Sequence, residues 1–275
     1  MANARQLKLI TESTRKDDKM DARMLAKMAR ADVDLLRPIR HRGEKAQMDL
    51  TLIRVRAVLV ETRTKLVNAT RGMVKGFGER LPSCDAMTMG VARAEGLPEE
   101  LQRAFQHLLE EVESLSARIK ACDAELDRIA FKQYPETKLL QQISGVGTPI
   151  SLAFVLTIDD PHRFNKSRGV GCFLGLRPKR SQSGASNPQL GISKKGDRYL
   201  RSLLVQGAQY ILGWRGPDTG LRRWGLRLAE RGGANAKKRA IVAVARKLAV
   251  LLHRLWVTGE FYEPLRNNRP KQVAA

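Results

Sequence analysis

One apolar repeat constrains this chain more than any other feature of its sequence. Between Leu101 and Ile129, apolar residues recur at intervals that alternate between four and three. The members are Leu101, Phe105, Leu108, Val112, Leu115, Ile119, Cys122, Leu126 and Ile129. This spacing, kept for about four heptads, puts every member on one stripe of a helix that must pack against another helix. The sequence therefore predicts a long helix that ends at Tyr134-Pro135.

A second long helix is predicted from about residue 44 to residue 77. Ala46, Leu50, Ile53, Ala57 and Val60 follow the same spacing there, and no proline interrupts it. Two arrangements would bury the stripe of the first helix: a hairpin within the chain, or a coiled coil between two copies. The arrangements are not exclusive, and both stay open at this point.

The rest of the chain also indicates helices. Residues 18–31 have helical periodicity, and a helical block extends to about Arg254, interrupted by glycines at 213–220 and 232–233. The composition changes after Pro135, where the long, regular helical pattern is followed by a basic sequence interrupted by glycines. We predict a mostly α fold with four segments: 1–43, 44–135, 136–266 and a disordered tail over 267–275.

Charge indicates the kind of partner. The chain has 50 Lys and Arg against 28 Asp and Glu, a net charge of +22, and such a field attracts polyanions. Nucleic acid is the expected partner; an anionic membrane surface or a ribosomal-type protein are the alternatives. The N-terminus lacks the apolar core of a secretory signal peptide, and the apolar run near 240–257 is too charged to span a bilayer. The three cysteines are far apart in the sequence. We therefore expect a cytoplasmic protein with reduced thiols and no membrane partner.

Two stretches have a composition suited to binding phosphate. Ile143–Gly147 reads ISGVG and resembles the turn of a helix-hairpin-helix, in which Gly145 and Gly147 let a nucleic-acid backbone approach. The alternative is an ordinary turn between helices. The second stretch, 175–204, surrounds two small-residue loops with cations. Its candidate nucleic-acid-binding residues are Arg177, Lys179, Arg180, Lys194, Lys195, Arg198 and Arg201.

Two possible catalytic groups accompany these cations. Ser183 lies beside Arg and Lys side chains that would stabilise an attacking alkoxide, although chemistry alone favours a serine that only contacts phosphate. Asp18 and Asp21 are three residues apart, so on a helix both carboxylates face one side and suit a divalent cation. The simpler interpretation is an acidic first turn, with Asp17 as a helix cap.

Four motifs together resemble the DEDD transposases of the insertion-sequence one-ten family, relatives of the Piv invertase. They are KDDKMDA at 16–22, PIRHR at 38–42, ISGVG at 143–147, and FLGLRPKRSQSG with GISKKGDRYLR across 173–201. The resemblance covers essentially the whole chain. It implies a RuvC-like domain of the RNase H fold that holds Mg²⁺, a coiled-coil insertion that mediates dimer contacts, and a C-terminal transposase domain with a nucleophilic serine. It also implies DNA as substrate and, in some members, a guide non-coding RNA.

By position, the resemblance makes Asp18 and Asp21 metal-binding catalytic acids and Ser183 the nucleophile, with Ser181 and Ser193 as weaker candidates. The family's first Asp and its Glu precede the acid pair, and the sequence before residue 17 contains no strand that could carry them. We therefore expect only a remnant of the RuvC-like domain and an incomplete acid set. The expected function is cutting and rejoining DNA as a transposase; the alternative is a truncated, non-catalytic nucleic-acid-binding remnant of one.

Overall fold

The computed structural model describes residues 7, 10, 17–36, 42–188 and 190–265. The mostly α prediction is confirmed, because these residues contain nine α-helices and no β-strand. The helices are α1 (Asp18–Ala31), α2 (Glu44–Gly76), α3 (Glu99–Gln133), α4 (Glu136–Leu140), α5 (Thr148–Ile158), α6 (Arg168–Phe173), α7 (Arg198–Leu212), α8 (Gly220–Ala229) and α9 (Ala236–Thr258). The predicted disordered tail and most of the PIRHR motif lie outside the described residues.

The chain divides into two compact units, residues 1–46 and 47–275. In the first unit, α1 begins where the sequence predicts. The Asp17 side chain accepts a hydrogen bond from the Lys19 amide at 2.9 Å and so caps the helix. A short 3₁₀ turn, Val33–Leu36, follows it.

In the second unit, α2 and α3 form an antiparallel helical hairpin. Arg56 on α2 forms a two-pronged ion pair with Asp123 on α3, with one Nη2–Oδ2 distance of 3.2 Å. Seven residues further along α2, Arg63 donates to Ser116 Oγ at 3.2 Å, seven residues back along α3. A step of seven in opposite directions is the register of two antiparallel helices packed by heptads. The hairpin within the chain, one of the two arrangements left open by the sequence, therefore exists.

The apolar stripe of α3 is buried partly against α2 and partly against the C-terminal helices. Phe105 and Val112 of the stripe, together with Leu109, which the predicted stripe does not include, form one core cluster with Val67 and Val74 of α2. Of the nine predicted stripe residues, six are buried, while Leu101, Leu108 and Cys122 are half-buried. Burying a side chain of this size contributes on the order of 1.5–3 kcal/mol, so the stripe is a main source of hairpin stability.

The C-terminal helices surround α5, whose residues from Ile150 to Ile158 are all buried. Helix α5 contacts α3, α4 and α7, and α9 packs against α6, α7 and α8. His253 lies inside this core: its Nε2 donates to the Pro161 carbonyl at 2.8 Å, and its Nδ1 is 3.0 Å from Ser167 Oγ. Within the described ranges, no helix combines the length and the apolar character needed to cross a membrane.

Candidate nucleic-acid interface and serine loop

Residues 175–195 are here called the serine loop, and its described residues, 175–188 and 190–195, extend from the helical core as two paired arms. The Lys194 amide donates to the Gly175 carbonyl at 3.0 Å, and the Ser193 amide donates to the Arg177 carbonyl at 2.8 Å. Further out, the Lys179 amide donates to the Gly191 carbonyl at 2.9 Å. These hydrogen bonds hold a basic segment without regular structure in one extended shape.

Ser183 occupies a tight turn of this loop. Its amide and carbonyl exchange hydrogen bonds of 3.1 and 3.0 Å with Ser186, so only Gly184 and Ala185 form the turn. Gly184 has a φ of +53°, a conformation that favours glycine at the first position of a two-residue hairpin turn. The Ser183 side chain is exposed, and among the described residues nothing holds its hydroxyl by a hydrogen bond. It is therefore free to meet a ligand.

Arg201 closes the base of the serine loop. Its Nη1 donates to the carbonyls of Leu174 and Lys195, each at 3.0 Å, so one side chain joins both ends of the loop. Burial lowers the pKa of its guanidinium, and the nearby charge of Asp197 only partly offsets this. Arg201 therefore holds the two ends of the loop together, and its predicted contact with nucleic acid stays a prediction.

Two glycines also permit this closure. Gly196 has a φ of +81°, and a Cβ there would lie 2.0 Å from the Phe173 carbonyl oxygen. Gly175 has a φ of +69°, and a Cβ there would lie 2.1 Å from the Lys195 carbonyl oxygen. Any larger residue would force the arms apart.

The other cations of this region all face solvent. Arg177, Lys179, Arg180, Lys194, Lys195 and Arg198 are exposed. None of these six forms an ion pair in the described part of the chain. The pKa of the Glu61 carboxyl is lowered mainly by the hydrogen bond and charge of Lys65, and to a smaller extent by the charge of Arg198. Exposed, unpaired cations spread along a raised loop are suited to contact successive phosphates.

The start of α7, directly after the serine loop, is fastened to the hairpin. Asp197 caps α7 by accepting from the Leu200 amide at 2.7 Å and lies 3.7 Å from Arg54 of α2. Arg56 of α2 also interacts with Tyr199 of α7 and with Asp123 of α3. Burial alone would lower the pKa of the Arg56 guanidinium, but these two contacts raise it overall. The sequence contained no local signal for this junction, because its partners are more than sixty residues apart.

The ISGVG turn lies between α4 and α5, and its two glycines have different surroundings. Gly145 has a φ of +90°, and a Cβ there would lie 2.9 Å from the Tyr210 ring and 3.2 Å from the Gly207 carbonyl oxygen of α7. Gly147 precedes α5 and is exposed, and a Cβ there would meet nothing closer than 3.8 Å. Thus Gly145 serves packing against α7, whereas Gly147 borders open space.

That open space is a groove of about 450 Å³ between the ISGVG turn and α7. Its lining includes Gln141, Ser144, Gly147, Gln206 and Tyr210. Amide and hydroxyl groups can pair with base edges or phosphates. The sequence pointed to the turn but not to the α7 side of the groove.

The acid pair lies in the first turns of α1. Asp18 is exposed and Asp21 half-buried, one helical turn apart. Magnesium is commonly held by one or two carboxylates together with phosphate oxygens and water, so this donor set fits Mg²⁺ bound with a nucleic-acid phosphate. Across the described ranges no group of three or more His, Cys, Asp or Glu is arranged to hold a metal.

Comparison with known proteins agrees with the motifs. A DEDD transposase family model of the IS110 type matches residues 1–78, and the model of the transposase IS116/IS110/IS902 family matches residues 137–222, which include the serine loop. The transposase of insertion sequence element IS1111A from Coxiella burnetii is 32% identical over 260 residues, covering 90% of this chain and 68% of that protein. A putative transposase of Sinorhizobium fredii is 31% identical over 90% of this chain and 64% of its own length.

A more distant relative is the pilin gene-inverting protein of Moraxella lacunata, 29% identical over 48% of this chain and 37% of its own length. The chain thus spans about two thirds of the length of the two transposases named above. The family models over residues 1–78 and 137–222 agree with the relatives that align with 90% of the chain. The chain belongs to the IS116/IS110/IS902 family of insertion-sequence transposases.

Proposed function

We propose that this chain binds DNA through the serine loop and cuts and rejoins strands during transposition, with Ser183 as the nucleophile. The observation that carries the proposal is the placement of Ser183: an exposed hydroxyl in a tight turn between two arms lined by unpaired cations. The family model that matches 137–222 covers this whole loop. Together these support a catalytic role over a contact role for the serine.

The proposed step transfers a phosphoryl group from DNA to the protein. Ser183 Oγ forms a bond to phosphorus, the bond from phosphorus to one sugar oxygen breaks, and the serine proton is passed to that departing oxygen by way of solvent or a base. The phosphoserine linkage conserves the free energy of the broken phosphodiester bond. Attack by another sugar hydroxyl on this linkage therefore rejoins the strand and releases the serine. Nearby cations, such as Lys179 and Arg180, would stabilise the negative charge that develops on the phosphate.

Asp18 and Asp21 would hold a divalent cation, and we propose Mg²⁺. When bound, such an ion polarises a phosphate and lowers the pKa of an attacking oxygen. The role of the two carboxylates is to keep the ion on one side of α1, which their spacing along the helix allows. We further propose that α1 belongs to a RuvC-like domain, with segments bounded as 1–43, 44–135 and 136–266.

The partners implied by the family resemblance are also proposals. A coiled-coil contact of the hairpin with a second copy would make the protein a homo-oligomer, and a guide non-coding RNA would occupy part of the basic surface. Exposed apolar side chains on α2, Met48 and Val55 among them, support a contact of that helix with a further helix. We place the protein in the cytoplasm, where DNA and RNA are both available.

A second candidate function is nucleic-acid binding without chemistry. The six exposed cations of the serine loop region suffice to bind phosphates, whether or not a metal is held by Asp18 and Asp21. This candidate predicts salt-sensitive binding that Asp18→Ala with Asp21→Ala leaves unchanged, and no covalent product.

The deciding experiment is a search for a covalent protein–DNA adduct. Purified protein is incubated with Mg²⁺, DNA from the flanks of its gene and RNA transcribed from the same region, and denatured before electrophoresis. We expect an adduct with the wild type, none with Ser183→Ala, and an undiminished amount with Ser186→Ala, the matched change across the same turn. An adduct that survives Ser183→Ala but not Ser181→Ala or Ser193→Ala would move the nucleophile to that residue. If the wild type binds DNA and never forms an adduct, the second candidate holds.

A further inference from the structure

The loop between α7 and α8 presents a tryptophan almost entirely to solvent. Trp214 is 84% exposed, the most exposed large apolar side chain in the described residues. The Arg215 guanidinium carbon lies 4.5 Å from the centre of the indole ring and so covers only part of it. Four residues earlier in the chain, on α7, Tyr210 is 46% exposed and lines the groove beside the ISGVG turn.

Hydrogen bonds fix the backbone in the first half of the loop that carries Trp214. Arg222 of α8 reaches back, so that its Nη1 donates to the Ile211 carbonyl at 2.6 Å and also to the Gly213 carbonyl. The Gly216 amide donates to the Gly213 carbonyl at 3.1 Å. A Cβ on Gly216 would lie 2.3 Å from the Ile211 carbonyl oxygen, so the turn needs glycine there.

The second half of the loop is held equally well. Thr219 caps α8 by accepting from the Arg222 amide at 3.1 Å, and Asp218 pairs with Arg223. The Gly220 amide donates to the Pro264 carbonyl at 2.7 Å. The backbone that carries Trp214 is therefore held in place, which spares a ligand the entropy of ordering this loop.

Charge favours nucleic acid over protein as the ligand of this indole. Exposed tryptophan beside arginine also occurs in protein interfaces. Here, however, Arg215 has no ion pair within the described ranges, and the chain carries a net charge of +22. An unpaired nucleobase offers a flat π face for the indole, and its phosphate is attracted by Arg215 and by the positive net charge of the chain.

We propose that Tyr210 and Trp214 form a stacking platform for unpaired bases of a single-stranded segment of DNA or RNA. The inference rests on the proposed nucleic-acid binding and adds a preference for unstacked bases. Gln206, which lines the groove on the same helix as Tyr210, is placed to hydrogen-bond a base edge. A duplex buries its base faces and would contact only the cations.

The test compares the affinity of the full chain for three labelled probes: a single strand of about 20 nucleotides, the same sequence as a duplex, and that duplex with a short bulge. Trp214→Ala should weaken binding of the single strand and of the bulged duplex by about 5- to 100-fold and leave the plain duplex within about twofold. Trp214→Phe, which keeps a ring, should restore most of the loss. Phe77→Ala is the matched control, because Phe77 is 65% exposed and directly follows α2 in the hairpin.

A second readout uses the fluorescence of the indole. Trp214 is exposed, whereas Trp224 and Trp256 are half-buried, so stacking should quench mainly Trp214. Single-stranded probes should quench wild-type emission, and Trp214→Phe should lose most of that quenching while still binding. Equal losses for single strand and duplex, or no loss for either, would overturn the stacking platform and leave the proposed DNA binding intact. A changed oligomeric state with unchanged affinities would show a protein interface instead, and a wild type that binds no probe would overturn both.

Discussion

Tyr134, the C-cap residue of α3, donates a hydrogen bond of 2.7 Å from its hydroxyl to the buried carboxylate of Asp49 on α2. This hydrogen bond joins the two long helices at the end of the hairpin nearest the C-terminal helices. Arg56 with Asp123 and Arg63 with Ser116 continue the same line of polar contacts. The hairpin is thus held by polar pairs set among apolar layers, and each pair specifies the register of the helices.

Removing the Tyr134 hydroxyl should destabilise the hairpin. Tyr134→Phe leaves the Asp49 carboxylate buried without this donor, and we expect a loss of about 1–3 kcal/mol in the free energy of unfolding. Urea denaturation followed by circular dichroism measures it. Tyr210→Phe, which removes a hydroxyl from a more exposed ring, should change the stability by less than about 0.5 kcal/mol. Equal losses in the two variants would contradict a special role for the Tyr134–Asp49 bond.

The same bond predicts an alkaline dependence of stability. Burial and then the Asp49 carboxylate raise the pKa of Tyr134 above its ordinary value of 10.0. Above pH 10 the unfolded chain therefore loses this proton before the folded chain does, so the contribution of Tyr134 is complete below pH 10 and declines as the pH rises further. Midpoints of urea unfolding measured from pH 8 to pH 11 should fall less steeply above pH 10 in Tyr134→Phe than in the wild type.

The two glycines of the ISGVG turn should respond differently to the same change. Gly145→Ala places a methyl group 2.9 Å from the Tyr210 ring at a φ of +90°, so we expect a loss of about 1–3 kcal/mol in stability. In Gly147→Ala the added methyl group enters open space, so this variant should fold normally. If the turn approaches a phosphate at Gly147, that variant should bind DNA more weakly at unchanged thermal stability. Normal DNA binding by Gly147→Ala would remove this glycine from the interface.

Arg201 should act on the shape of the serine loop rather than on DNA affinity alone. Arg201→Ala leaves the Leu174 and Lys195 carbonyls without their shared donor, and we expect faster proteolysis within 175–195 and loss of the covalent adduct. Arg198→Ala removes the same charge from an exposed neighbour and should leave the proteolysis rate unchanged. Identical proteolysis of the two variants would show that Arg201 does not hold the loop closed.

Exposed cations of the serine loop should set the salt dependence of binding. Each of Lys179→Ala and Arg180→Ala removes one phosphate contact, so the slope of log affinity against log salt should become shallower by about 0.9. Arg103→Ala is the control, because it removes an equal charge from α3 that is already paired with Glu99. A similar change of slope in the control would mean that net charge, and not the loop, decides affinity.

The sequence by itself determined the helices and the family. Periodicity, proline and glycine are local signals, so α1, α2 and α3 begin and end within a few residues of the predicted bounds. The motifs around Asp18 and Ser183 sufficed to indicate the transposase family, because they consist of neighbouring residues. Their catalytic roles remain predictions.

Only the tertiary structure decided what individual side chains touch. It showed that α3 packs on α2 of the same chain, that Asp49 and Arg63 lie buried in that seam, and that Arg201 joins the two ends of a loop. It also separated Gly145 from Gly147, which the motif treats alike. The physical reason is the same in each case: a side chain's role depends on neighbours brought together by folding from distant parts of the chain, and local spacing carries no information about them.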